Sequence, residues 1–208
     1  MGTDETHDLD RRAFYHPGMR EVQDRFDSRR LADRLEKITL HGVLSEADRA
    51  FVDSATMFFL ATADADANPD CSYKGGRPGF IRAIDDATVA FAVYDGNGQF
   101  RSLGNITANP SVGLLFIDFD LPSRLRINGS ATVTYRSDDP DLVGSFPGAD
   151  AVVVVAARQI FPNCPRYVHR SSTELCEYAP AEDHVPPVPE WKTREIFQPY
   201  LPRIDTTT

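Results

Sequence analysis

Met57-Phe-Phe-Leu-Ala-Thr-Ala63, Asp64-Ala-Asp-Ala-Asn-Pro69 and Asp70-Cys-Ser-Tyr-Lys74 follow one another without a gap. The first is an apolar run of strand length, the second is turn chemistry, and the third pairs back on the first. A hairpin is therefore predicted over 57–74. Outward from it the same texture repeats. Gly75-Gly-Arg-Pro-Gly79 breaks the chain, Phe80-Ile-Arg-Ala-Ile84 alternates as a third strand, Asp85-Asp86 turns it, and Thr88-Val-Ala-Phe-Ala-Val93 makes a fourth. After the loop Tyr94–Gly98, the three-residue spacing of Phe100, Leu103 and Ile106 predicts one short helix over 99–108, stopped by Asn109-Pro110. Val112–Ile117 and Leu125–Tyr135 read as a fifth and a sixth strand. Short hairpins in chain order with one inserted helix predict a mainly β, six-stranded antiparallel barrel, small and closed.

Both flanks differ from this ladder. Pro17 suits the first turn of a helix, and Met19, Val22, Phe26, Leu31, Leu35 and Ile38 recur at helical spacing, which predicts one helix from Pro17 to about Lys37. Ser45-Glu-Ala-Asp48 resembles a capping box and predicts a second, short helix through Ala50-Phe51-Val52. Downstream, a short helix after Asp139-Pro140 is expected to precede a strand from Ala151 towards Phe161. The tail from 162 is rich in proline and reads as a strap over a surface. The organisation predicted is a helical extension over 1–55, the barrel over 56–170 and the strap over 171–208.

The chain has 208 residues, 41% of them apolar, which suits one domain with appendages. Its net charge is −9, with no basic region of the kind a nucleic-acid partner requires. An anionic ligand would need a local cluster of cations and backbone N–H groups working against that global field. No run approaches the ~20 apolar residues of a membrane helix. The acidic, polar start Met1–Asp10 lacks the pattern of a secretory leader, so a cytoplasmic location is expected. Cys71, Cys164 and Cys176 form no Cys-x-x-Cys pair and are expected as free thiols. The five histidines are scattered and none pairs at metal-ligand spacing.

Three stretches can carry chemistry. Tyr73-Lys-Gly-Gly-Arg-Pro-Gly-Phe-Ile-Arg82 surrounds three glycines with Lys74, Arg77 and Arg82, so backbone and cations can approach a phosphate together. A hairpin corner with solvated charges is the plainer reading of the same residues. Tyr94-Asp-Gly-Asn-Gly-Gln-Phe-Arg-Ser102 runs a glycine-rich loop into a helix start, where free N–H groups favour an anion and Arg101 and Ser102 can add hydrogen bonds. An ordinary polar helix cap explains it equally well. In Ser123-Arg-Leu-Arg-Ile-Asn-Gly129, Arg124 and Arg126 share one strand face, and Asn128-Gly129 reads as a bulge inside a long strand. Asp64 and Asp66 suggest a cation loop only superficially; a solvated turn is expected. No Ser-His-Asp or Cys-His spacing is present, so a cofactor is expected to carry any reaction.

These stretches together resemble the pyridoxamine-5'-phosphate-oxidase-like FMN-binding family. Phe58–Ser72 resembles its opening hairpin, and Pro78-Gly-Phe-Ile-Arg-Ala-Ile-Asp85 its third strand. Gly98–Phe116 resembles its phosphate helix and the strand that follows, and Arg124-Leu-Arg-Ile-Asn-Gly129 the strand beside the flavin ring. Phe161-Pro-Asn-Cys-Pro-Arg-Tyr-Val-His169 resembles a segment of a bacterial subgroup of unassigned substrate. The resemblance covers about residues 55–170. It implies a six-stranded split β-barrel, a homodimer, and FMN at the subunit interface. It places Arg101 and Ser102 at the phosphate, with Lys74 or Arg82 replacing the second cation that Ser102 lacks. It places Val93 and Tyr94 beside the ring and Arg124 against it, with Arg166 or Tyr167 of the neighbour closing the pocket. Phe80, Asn97 and Gln99 complete the implied cofactor contacts. Trp191-Lys-Thr-Arg194 lacks the surroundings of the oxidases' C-terminal Trp and Arg, so pyridoxamine phosphate is not the expected substrate. The implied activity is that of an FMN-dependent oxidoreductase using a small-molecule substrate or electron donor, with no nucleic acid or membrane partner. The alternatives are a non-catalytic flavin-binding or sensor protein, the same fold holding a deazaflavin, the same fold holding haem with His169 as axial ligand, and a purely structural β-protein.

Overall fold

A computed structural model describes residues 14–94, 98–169, 187–188 and 190–201. The chain divides into two compact units. One comprises 41–118 and 123–163, the other 1–40, 119–122 and 164–208.

The first unit holds a short helix and the whole sheet. Helix α3 (Glu46–Ser54, counting the two helices of the other unit as α1 and α2) begins at the expected capping box. Ser45 Oγ accepts from the Asp48 amide, and Asp48 accepts from the Ser45 amide. The strands are β1 (Met57–Ala63), β2 (Pro69–Gly75), β3 (Ile81–Ala83), β4 (Thr88–Val93), β5 (Ser111–Asp118), β6 (Ser123–Tyr135) and β7 (Ala151–Asn163). Helix α4 (Arg101–Ala108) lies between β4 and β5, and α5 (Pro140–Gly144) between β6 and β7. All pairings are antiparallel, in the order β2-β1-β5-β6-β7-β4-β3. The mainly β, split-barrel class is as expected, but among the described residues the sheet has seven strands rather than six and stays open, with β2 and β3 as its edges, rather than closed. The seventh is the predicted strand from Ala151. It joins the same sheet because β4 and β6 each have a ladder edge to satisfy, and β7 fills both.

The sheet is curled, and Phe58 shows it. Phe58 on β1 and Phe91 on β4 have ring centroids 5.1 Å apart. Three strands lie between them in the hydrogen-bonding order, which would put them roughly 19 Å apart on a flat sheet at ~4.8 Å per strand. The interior closes around Phe58, Phe91, Phe116, Leu60, Ile81, Leu114, Ile127 and Ile160, all essentially unexposed. A smaller apolar cluster on the other face of β4 joins Ala90 and Ala92 to Val143 and Phe146 beside α5. The expected bulge is present as a register shift at Asn128/Gly129. Gly129 is required there, since a Cβ would lie 2.2 Å from the Ala156 carbonyl oxygen.

The β1–β2 turn is organised by its own carboxylate. Asp64 Oδ1 accepts from the amides of Asp66 (3.0 Å) and Asn68 (2.9 Å), while Ala67 adopts φ 64°. Hydrogen bonds from the Asn68 side chain and then its amide hold the Asp64 carboxyl below the usual range. The turn amides therefore use the oxygens that a cation would need, and among the described residues no group of three or more acidic, His or Cys side chains could hold a metal.

In the second unit, α1 (Pro17–Arg25) starts at Pro17 behind the His16 cap, and α2 spans Arg29–Thr39. The single helix expected from Pro17 to Lys37 is thus two. Asp27, at φ 46°, breaks it, and its carboxylate is held by Arg30 at 2.8 and 3.0 Å. Apolar periodicity survives such a short interruption and conceals it. Near the C-terminus, α6 (Glu190–Thr193) carries Trp191, which meets Phe197 edge-on at 5.1 Å. No helix among the described residues is long and apolar enough to cross a membrane. Cys176 and most of the predicted Pro-rich strap lie outside the described residues.

Candidate functional site

β2 alternates, and its register with β1 decides what faces inward. Lys74 lies opposite Phe58, Ser72 opposite Leu60 and Asp70 opposite Thr62, and all three β1 partners are buried. Asp70, Ser72 and Lys74 therefore project to the inner side, while Cys71 and Tyr73 project outward. Helix α4 lies over this comb, clamped at its middle and end. Asn105 Nδ2 donates to the buried Thr62 Oγ1 (3.0 Å), and Asn109 Nδ2 donates to the Asp64 carbonyl (3.4 Å).

The helix start is unusual. Phe100, the residue before the first turn, is left-handed (φ 46°) and more than half exposed, and no side chain caps the helix. The first intrahelical bond runs from the Gly104 amide to the Phe100 carbonyl (2.8 Å). The amides of Arg101, Ser102 and Leu103 precede it and form the positive end of the helix. A non-glycine residue in this conformation is strained, and such strain clusters at ligand sites.

Between β2, the end of β4 and this helix start lies a hollow of about 460 Å³. That volume is within the range of roughly 300–1,000 Å³ typical of small-molecule sites. Its polar end is compact. Lys74 Nζ donates to Ser102 Oγ (3.2 Å), and Ser72 Oγ lies 3.0 Å from the same oxygen. Arg101 Nε donates to Asp70 Oδ1 (3.3 Å). Burial pushes the Lys74 ammonium below the usual lysine range, and Asp70 partly opposes that shift. Its other end is apolar, with Phe80, Phe91, Val93 and Tyr94 in the wall.

Of the residues that the sequence singles out, Lys74, Phe80, Val93, Tyr94, Gln99, Arg101 and Ser102 all line this hollow. Arg82 does not. It lies on β3 opposite Ala90, donates to Ser145 Oγ (2.8 Å) and carbonyl (3.3 Å), and sits 4.0 Å over the Phe146 ring. Arg124 is also outside the lining. It shares with Arg126 the outer side of β6, opposite Ile117 and Asn163. Arg166 and Tyr167 belong to the other unit, where the guanidinium donates to the phenol oxygen at 2.6 Å. His169 is in that unit too, and is exposed. Asn97 lies outside the described residues. Asp70, Ser72 and Phe100 went unnoticed in the sequence. The alternation of β2 around Lys74 could have shown the first two; nothing local marks Phe100 as left-handed.

A curled antiparallel sheet with an anion-suited hollow at the start of the helix inserted between β4 and β5 is a split-barrel architecture. The family model described as pyridoxamine 5'-phosphate oxidase matches residues 44–160, and the chain belongs to that family. A search of the curated proteins finds no match. Among solved structures, the chain is 22% identical to HupZ of Group A Streptococcus, covering 57% of this chain and 92% of that one at a TM-score of 0.44. It is 17% identical to an FAD binding protein from Mycobacterium smegmatis, over 58% and 95%, at a TM-score of 0.41. It is 16% identical to HutZ, a heme storage protein from Vibrio cholerae, over 58% and 91%, at a TM-score of 0.38.

Proposed function

We propose that the hollow binds FMN and that the protein is an FMN-dependent oxidoreductase with a substrate other than pyridoxamine phosphate. One observation supports this most. A half-buried ammonium, two hydroxyls, a guanidinium and an uncapped helix start converge at one end of a hollow whose other end is apolar and aromatic. That is the polarity of a phosphate-tailed, ring-headed ligand.

In this reading Lys74 neutralises the phosphate, with Ser102 and the α4 amides as donors and Arg101 as a second cation at the mouth. Ser102 accepts from Lys74, so its own proton is available to Ser72 or to the ligand. Phe80, Val93, Tyr94 and Gln99 border the ring end. Bound FMN would supply the hydride or electron transfer.

The homodimer belongs to the same proposal. On the outer side of the sheet one register row carries Tyr73, Phe59, Leu115, Arg126 and Phe161. Tyr73 in this row is 62% exposed. A second copy covering that face would bury aromatic surface and bring an Arg124 towards the partner's ring site.

Titration of the purified, ligand-free protein with FMN, followed by flavin fluorescence, tests the reading. Stoichiometric binding and a flavin absorbance spectrum are expected, with Ser102→Ala binding more weakly. Failure to bind FMN, or release of a haem or a deazaflavin from the protein as isolated, would overturn it. Reduction of the bound flavin by a nicotinamide donor separates an oxidoreductase from a passive flavin carrier.

A further inference from the structure

β2 presents an acid, a hydroxyl and an amine in alternation, Asp70, Ser72 and Lys74, all towards the first turn of α4. The amine and the hydroxyl converge on Ser102. The acid instead takes Arg101, through Nε at 3.3 Å. The partners are unequally placed: the Asp70 side chain is 20% exposed, that of Arg101 66%. The carboxylate is set into the wall, and the guanidinium extends over the mouth.

A carboxylate is the wrong charge for the wall of an anion site. Among the described residues of the polar end, it leaves Lys74 and Arg101 a single net positive charge. We propose that Asp70 sets the anion affinity of the hollow: it holds Arg101 while the hollow is empty, and a phosphate monoester must take Arg101 from it. This rests on the FMN reading above. Two effects act in the same direction. The phosphate gains Arg101 only net of the pair already formed, and the Asp70 charge repels the phosphate at short range. Binding is thereby weaker than Lys74, Arg101 and the helix start would give without Asp70. A ligand lacking the phosphate does not compete for Arg101, so Asp70 discriminates at the phosphate end alone.

FMN and riboflavin, titrated in parallel into the wild type, Asp70→Asn and Asp70→Ser, test this, since the two ligands differ only in the phosphate. Both variants should bind FMN about three- to tenfold tighter at low salt, and the gain should fade with added salt. Riboflavin affinity should be unchanged. In an Arg101→Gln background the same Asp70 substitution should yield a smaller gain, because one of its two contributions is gone. If both variants bind FMN no tighter than the wild type, or tighten riboflavin equally, the inference is wrong while the FMN reading stands. A wild type that binds no FMN overturns both.

Discussion

Lys74 and Arg82 come from one glycine-interrupted stretch and look alike in the sequence, yet the barrel sends them to opposite faces. Lys74 lies opposite the buried Phe58 and points inward, where it is half desolvated and reaches Ser102 on another element. Arg82 lies opposite Ala90, on the face that carries the small cluster with Val143 and Phe146. There its guanidinium donates through Nη2 to Ser145 and packs over the Phe146 ring. One cation faces a hollow beside polar groups with capacity to spare; the other is a brace between a hairpin and a loop. A cluster of basic residues in a sequence thus counts charges without saying which of them a ligand can reach.

The contrast makes separable predictions. Lys74→Ala should weaken FMN binding about 10- to 100-fold, the loss of a charge-assisted contact worth roughly 1.5–3 kcal/mol, without lowering the thermal midpoint. Arg82→Ala should do the reverse: FMN affinity within error of wild type, but stability lower by about 1–2 kcal/mol in denaturant unfolding, from the lost Ser145 bonds and ring contact. Equal losses of affinity in the two variants would erase the distinction.

Asn105→Ala touches neither cation. It removes the bond to the buried Thr62, and should cost about 1 kcal/mol of stability and a few-fold in FMN affinity as α4 loosens over the hollow. The smallest effect is in the pH profile. Because burial lowers the Lys74 value, the folded state releases this proton before the unfolded chain does. Its penalty on the fold is therefore full at pH below the folded value and is relieved as pH rises from there towards 10.5. Lys74→Met should accordingly gain slightly in thermal midpoint near neutrality, with the gain vanishing in strongly alkaline buffer. FMN affinity of the wild type should fall with rising pH through the lowered Lys74 value, and that step should be missing in Lys74→Met.

The hairpin over 57–74, the helix after β4, the capping box at Ser45 and the bulge at Gly129 were all legible, because each depends on neighbours within a few residues. Asp27 was not, since apolar spacing continues through a one-residue reversal. Nor was the partnership of β7 with β4, which joins segments some sixty residues apart. At the site, Lys74, Arg101 and Ser102 could be nominated from residue type, and Arg82 equally so. Strand alternation could place the Asp70 carboxylate beside Lys74, but not its pairing with Arg101, which depends on a helix about thirty residues downstream.

By itself the amino-acid order determined the local elements and the supply of cations, hydroxyls and glycines, since strand alternation, turn chemistry and helix caps are short-range effects. The tertiary structure alone decided which of those groups share a hollow. Curling a seven-stranded sheet brings β2 under α4 and turns Arg82 away, and side-chain direction follows from strand register, which long-range pairing fixes.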